Sequence, residues 1–326
     1  MELKLFSFAA SSELGGAIAS ELGLPLSALE ERDFEDGEHK ARPLEAVRGA
    51  DVYVVQGLYG SPEGSPNDKL CRLLFFIGAL RTNGAARVTA VIPYLAYARK
   101  DRQTKPRDPL NARYVAQLIE AVGTDCVVTT EVHNIAAFQN AFRCETLALD
   151  NRGVLIDRAV ELAGDGPVCV ASPDPGGVKR AQLFREALEE RLGRAVGFSL
   201  MEKRRSAGVV SGSLIAGDVK GARVLVIDDL IASGGTMVRA AQALSGEGAR
   251  DIWAMAAHGL FTGGAQEALA DSTVAGWIVT DTVPLFRLSD RQARCVERIS
   301  SAPLFARAIR RLHEHRDVTD LPAAGS

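Results

Sequence analysis

The sequence predicts an α/β protein of two tandem, duplicated halves, each a mostly parallel sheet flanked by helices. Three observations predict it. Short apolar runs such as 224–227 end in polar or glycine-bearing loops, as strands buried on both faces of a parallel sheet do. Helical patterns lie between such runs, for example over 68–81 and 111–122. The halves also echo each other in order: 47–56 resembles 219–228, 79–85 resembles 243–249, and 128–133 resembles 279–284.

With 326 residues the chain has room for two domains of about 150 residues each. The division is expected near Leu149, ahead of the helical pattern that starts at Arg152, giving domains 1–149 and 150–303. A formal net charge of -3 argues against a general nucleic-acid binder, which would usually be basic. Cysteines 71, 126, 144, 169 and 295 form no Cys-x-x-Cys pair, favouring reduced thiols in a cytoplasm. The opening Met1-Glu2-Leu3-Lys4 has no signal-peptide pattern, and apolar runs such as 73–80 are too short for a bilayer. A soluble, cytoplasmic protein without membrane partners is expected.

Taken in chain order, six segments carry polar chemistry. Phe34-Glu35-Asp36-Gly37-Glu38 sets an aromatic face beside carboxylates around a turn glycine, and by itself reads as a surface turn. Arg99, Lys100, Asp101 and Arg102 follow an apolar strand, in a loop that would ordinarily be a solvated charge run. His133 lies near a strand end, where a lone histidine is more often packed than a ligand, and Asp174 precedes Pro175-Gly176-Gly177 in a turn pattern. Lys203, Arg204 and Arg205 precede small residues. The most informative segment is the strand 224–227, followed by Asp228, Asp229 and then Ala232-Ser233-Gly234-Gly235-Thr236. In open α/β sheets ligands sit beyond the carboxyl ends of strands. Glycines let backbone N–H groups close on an anion, and a helix N-terminus adds partial positive charge. Paired aspartates beside such a loop suit a phosphorylated sugar. The Walker pattern and the G-x-G-x-x-G fingerprint are both absent from the sequence.

These segments resemble those of the ribose-phosphate pyrophosphokinase (phosphoribosyl-pyrophosphate synthetase) family, a branch of the type I phosphoribosyltransferase-like fold, over nearly the whole chain. The resemblance implies transfer of the diphosphoryl group of MgATP to the anomeric hydroxyl of D-ribose 5-phosphate, giving phosphoribosyl diphosphate and AMP. It implies that Asp228, Asp229, Ala232, Ser233, Gly234, Gly235 and Thr236, with Arg205, hold ribose 5-phosphate. Phe34, Asp36, Gly37, Glu38, Arg99, Lys100 and Asp101 would bind ATP, the first four across a subunit boundary. His133 and Asp174 would hold magnesium, and Lys203 with Arg205 would be catalytic cations on a flexible loop. The terminal segment 304–326 would join the first domain. Inorganic phosphate and ADP are the implied effectors, and a homo-oligomer, a hexamer built from dimers, is the implied assembly.

The chain departs from the family pattern at several places. Lys100 stands for the usual Gln, Glu131 for Asp, Ala232 for a frequent Asp, Ser233 for Thr and Ala46 for Ser; 57–65 is inserted. The alternatives are a phosphoribosyltransferase that consumes phosphoribosyl diphosphate and a non-catalytic regulatory relative of the synthetases.

Overall fold

The computed structural model describes residues 1–206 and 209–318, with the side chains of 202–214 outside the described set. The chain divides into two compact units: Met1–Asp150 together with the described residues from Ser301, and Asn151–Ser300.

The first unit begins with β1 (Leu3–Ser7), α1 (Ser12–Leu22), β2 (Leu29–Asp33), β3 (His39–Pro43) and β4 (Asp51–Val55). It continues with α2 (Pro66–Thr82), β5 (Arg87–Ile92), α3 (Asn111–Ala121), β6 (Cys126–Thr130), α4 (Ile135–Ala141) and β7 (Glu145–Leu149). Its sheet has the order β1-β4-β5-β6-β7, and every pairing is parallel. β2 and β3 form a separate antiparallel ribbon. All five residues of β4 are buried, as a strand covered by helices on both faces requires. α2 starts sharply because Ser65 and Asp68 form a capping box and Pro66 occupies the first helical position. Its Leu70, Leu73, Leu74 and Ile77 then recur on one face and enter the core with Phe6, Val52 and Val54.

The second unit runs α5 (Arg152–Ala163), β8 (Val168–Ser172), α6 (Val178–Leu192), β9 (Gly197–Ser206), β10 (Val209–Ala216) and β11 (Arg223–Ile231). Then come α7 (Gly235–Gly246), β12 (Asp251–Gly259), α8 (Ala265–Ala270), β13 (Gly276–Thr280), α9 (Asp290–Ala293) and β14 (Val296–Ile299). The sheet order is β10-β9-β8-β11-β12-β13-β14, with only the edge strand β10 antiparallel. The order strand, helix, hairpin, strand, helix, strand, helix, strand, helix, strand is therefore the same in both units. The helices that follow each last strand are exchanged. α5 follows β7 in sequence but packs on α6, whereas α10 (Ala302–His313) follows β14 and packs on α1.

An ion pair marks the duplication at atomic level. At the start of the two central strands of the first unit, Arg87 Nε and Nη2 donate to Asp51 Oδ1 and Oδ2, both at 2.7 Å. In the second unit the charges are interchanged: Arg223 Nε and Nη2 donate to Asp251 Oδ1 and Oδ2 at 2.5 and 2.9 Å. Each arginine also caps the exchanged helix of its unit, Arg87 on the Leu312 carbonyl at 2.8 Å and Arg223 on that of Leu162. Asp51 is fully buried, and its hydrogen bonds from Arg87, His313 and Tyr53 hold its carboxyl below the ordinary range despite the burial. Its folded-state pKa is depressed, so its stabilising contribution is present above the unfolded value and lost as pH falls through the folded one. Arg87→Met is expected to lower stability by about 3 kcal/mol, read by chemical denaturation at neutral pH, because it strands a buried carboxylate. A loss under 1 kcal/mol would contradict this.

Three sequence expectations change in detail. β11 does not end at Ile227; it continues through both aspartates to Ile231, where pairing with β12 satisfies its backbone. The third echo is shifted by one residue: Glu131 N bonds the Leu149 carbonyl and Asp281 N the Ile299 carbonyl, so Glu131 corresponds to Asp281 rather than Thr282. The stretch 203–205, expected in a loop, has extended backbone at the end of β9, because β10 pairs back on it with Lys203 opposite Ser213 and Arg205 opposite Val210. Among the described residues no helix is long and apolar enough to cross a membrane.

Candidate active site

In the second unit, Val224, Leu225, Val226 and Ile227 are buried and anchor β11, which delivers Asp228 and Asp229 at the sheet's carboxyl edge. Asp229 N donates to Asp228 Oδ1 at 2.8 Å and Leu230 N to Asp229 Oδ1 at 2.9 Å, so each carboxylate is oriented partly by its own backbone. Arg180, on the first turn of α6, reaches both: Nη1 lies 3.3 Å from Asp228 Oδ1 and Nη2 3.7 Å from Asp229 Oδ2. Burial, then the neighbouring Asp229 charge, pushes the Asp228 carboxyl up to about 7, with Arg180 pulling in the opposite direction.

The loop after β11 turns on Gly234, whose φ of 78° is the left-handed region that favours glycine. A Cβ there would stand 2.7 Å from Cβ of Ala268 and 3.3 Å from the Trp277 ring. The far side of the loop is pinned by Thr262 N donating to the Ala232 carbonyl at 2.8 Å. The N–H groups of Ser233 and Gly234 have no acceptor among the described residues. Those of Gly235, Thr236 and Met237 open α7, where helix geometry provides no internal partner. Five successive donors thus lie on one stretch that also carries the hydroxyls of Ser233 and Thr236. Arg239 reaches back to donate to Thr236 Oγ1 at 3.1 Å, adding a cation beside this row. Gly234→Ala is expected to weaken binding of a sugar phosphate about tenfold, because a left-handed alanine costs roughly 1–2 kcal/mol before the clash is relieved. Calorimetric titration checks this; unchanged affinity would contradict it.

In the first unit the segments singled out by sequence meet at the carboxyl ends of β5 and β6. Asn134 Nδ2 donates to Asp101 Oδ2 at 2.8 Å while Asn134 Oδ1 caps α4 through Ala137 N. That ties the 99–102 segment to the 131–134 segment. Arg99 and His133 are exposed. Two turns here are in the left-handed region without glycine, Tyr97 at φ 64° and Glu131 at φ 44°, conformations that persist only where the surroundings enforce them. Lys100 is a strut: its ammonium lies 2.5 Å from Asp108 Oδ2, which also accepts from the N–H groups of Thr104 and Lys105. These bonds hold the Asp108 carboxyl far below its ordinary range.

Phe34, Asp36, Gly37 and Glu38 form the exposed tip of the β2–β3 ribbon, closed by Phe34 N on the Glu38 carbonyl and by Gly37 at φ 90°. Arg32 lies over the Phe34 ring at 5.0 Å. Among the described residues no hydrogen bond or ion pair links this tip to the 99–102 segment. Asp174 heads a short turn, with Oδ1 accepting from Gly176 N at 2.9 Å and Gly177 N at 3.1 Å. Both of those bonds fall on Oδ1. The side chains of Lys203 and Arg205 lie outside the described residues.

No group of three His, Cys, Asp or Glu side chains suited to a metal gathers among the described residues. Magnesium needs no such cage, since it keeps several waters and binds through one or two carboxylates and substrate phosphates. The hard carboxylate oxygens of Asp174 fit that ion. Arg180, Arg239 and Asn134 were not singled out by sequence. Arg180 follows Gly176-Gly177 within one helical turn, a spacing that could have found it.

Comparison with known proteins bears on the whole chain. The N-terminal domain of ribose phosphate pyrophosphokinase matches residues 3–123, and the phosphoribosyl synthetase-associated domain matches residues 211–321. The ribose-phosphate pyrophosphokinase of Caldanaerobacter subterraneus is 40% identical over 98% of this chain and 97% of its own length. That of Wolinella succinogenes is 37% identical over 98% of both. The crystal structure of phosphoribosylpyrophosphate synthetase from Mycobacterium smegmatis superposes with a TM-score of 0.86 at 33% identity, covering 97% of this chain and all of that one. With two domain profiles, full-length relatives and a matching two-unit architecture in agreement, the chain belongs to the ribose-phosphate pyrophosphokinase family.

Proposed function

We propose that the chain transfers the diphosphoryl group of MgATP to D-ribose 5-phosphate, and that the β11–α7 loop holds the sugar. The observation that carries this reading is the run of N–H groups from Ser233 to Met237, which have no backbone acceptor among the described residues and follow Asp228 and Asp229 at the end of β11. The 5-phosphate accepts from these donors and from the Ser233 and Thr236 hydroxyls. The ribose 2- and 3-hydroxyls donate to the carboxylates of Asp228 and Asp229. The anomeric oxygen attacks the β-phosphorus of ATP, the bond from that phosphorus to the α,β-bridging oxygen breaks, and the anomeric proton is lost as AMP departs. Such a displacement depends on in-line placement and charge neutralisation rather than a covalent nucleophile.

Arg99, Lys100 and Asp101 contact the nucleotide, on a loop that the Lys100–Asp108 and Asn134–Asp101 bonds brace. Phe34 stacks on the base, with Asp36, Gly37 and Glu38 reading its edge; its exposure on a ribbon tip suits service to a neighbouring subunit. His133 and Asp174 are the residues that would hold magnesium, which would neutralise charge on the nucleotide phosphates. Lys203 and Arg205 act as cationic clamps on the moving diphosphoryl group. A homo-oligomer, with inorganic phosphate and ADP as effectors, completes the reading. Part of the inserted segment belongs to the interior: Leu58 and Tyr59 are buried, whereas Pro62, Glu63 and Ser65 are exposed. The test is incubation with ATP, magnesium and ribose 5-phosphate, with and without added phosphate. AMP and phosphoribosyl diphosphate should appear in equal amounts. No AMP release, or release of diphosphate on adding a nucleobase and phosphoribosyl diphosphate, would overturn it.

A further inference from the structure

We infer that Arg180 is a positioning residue for the ribose hydroxyls, holding Asp228 and Asp229 turned toward the sugar as a pair of charged acceptors. This rests on the ribose 5-phosphate reading of the β11–α7 loop. Its basis is geometric. Asp228 and Asp229 are adjacent on one strand, and Asp229 is 5% exposed, so two negative charges sit together in poor solvent. Such a pair resists full ionisation unless a cation is fixed beside it. Arg180 is that cation. Its two terminal nitrogens divide between the two carboxylates at 3.3 and 3.7 Å, a fork that lysine's single ammonium does not reproduce.

The strands that flank β11, β8 and β12, carry no lysine or arginine. β12 places Ala256 opposite Asp228 and His258 opposite Leu230, and the His258 ring bonds Thr282 Oγ1 at 2.8 Å. β8 places Ala171 opposite Val226, and the turn before α6 adds a further carboxylate, Asp174. From α7, Arg239 bonds Thr236, not the aspartates. Without Arg180, one acid would take up a proton at higher pH and become a hydrogen-bond donor where the sugar also donates. The consequence is a pH-dependent loss of sugar affinity, not a uniform one.

The experiment compares the full-length protein with Arg180→Gln, Arg180→Met and Arg180→Lys, measuring ribose 5-phosphate affinity by calorimetry from pH 6 to 9. The KM for ATP and the melting temperature are followed in parallel. Arg180→Gln and Arg180→Met should weaken sugar binding about tenfold or more at pH 7 and move the acid limb of the affinity profile upward by about one pH unit. The affinity loss should shrink at pH 9. Arg180→Lys should keep the limb near the wild-type position while binding a few-fold more weakly, because charge remains but the fork does not. An unchanged profile in both neutral variants, or an equal loss at every pH, would overturn the assignment. If one neutral variant fails to fold, the other is read with Arg180→Lys. Wild-type protein that does not bind ribose 5-phosphate at all would instead remove the sugar site itself, and Arg180 with it.

Discussion

Lys203→Ala is expected to reduce turnover by about a hundredfold to a thousandfold while leaving ribose 5-phosphate affinity within about twofold. The difference follows from when the charge appears. The 5-phosphate carries its full charge in the ground state and, in the proposed site, meets the loop at Ser233–Thr236. Negative charge on the transferring diphosphoryl group and on the departing AMP grows only as the bond breaks. A cation acting there lowers the barrier without tightening the sugar complex. Single-turnover kinetics paired with equilibrium binding separates the two quantities. Equal losses in both would place Lys203 in ground-state binding and remove it from the chemical step. Arg205→Ala is expected to lose some sugar affinity as well, since it is assigned to both roles.

Asp228→Asn is expected to weaken ribose 5-phosphate binding about tenfold to a hundredfold, the range for losing charge-assisted hydrogen bonds from two hydroxyls. The fold should not suffer. Burial and the Asp229 charge raise the Asp228 pKa to about 7, so in the folded state this group binds its proton more tightly than in the unfolded chain. A raised folded-state value means stability is fully present below the unfolded pKa and declines as pH rises through the folded one. At pH 8 the wild-type protein therefore carries an unfavourable charge that asparagine lacks, and the variant should melt no lower than wild type. The same titration sets the binding profile: wild-type sugar affinity should fall as pH drops below about 7, and the variant's should be flat there. Lower melting with intact affinity would reverse both expectations.

The two-unit α/β architecture was legible because it rests on local patterns. Buried strands such as β4 and β11 are apolar runs, and the helical pattern over 68–81 lies within α2. The loop at Ser233–Thr236 was legible for the same reason, since its glycines answer a backbone requirement visible in the chain itself. What was not legible depends on residues far apart in sequence. The Lys100–Asp108 ion pair braces the loop that carries an expected nucleotide ligand. The Asn134–Asp101 bond joins two segments that sequence treated separately. Neither Arg180 nor the exchange of α5 and α10 leaves a periodic trace, because each is fixed by tertiary contacts. The charge-inverted pairs Asp51–Arg87 and Arg223–Asp251 even weaken the repeat at sequence level while preserving the same contact.

The most direct test of the sugar site is a crystal structure of the protein with ribose 5-phosphate. The phosphate should lie within hydrogen-bond distance of the amides from Ser233 to Thr236, with two ribose hydroxyls on the carboxylates of Asp228 and Asp229. A fully occupied sugar phosphate bound elsewhere, with those amides facing only water, would contradict the account.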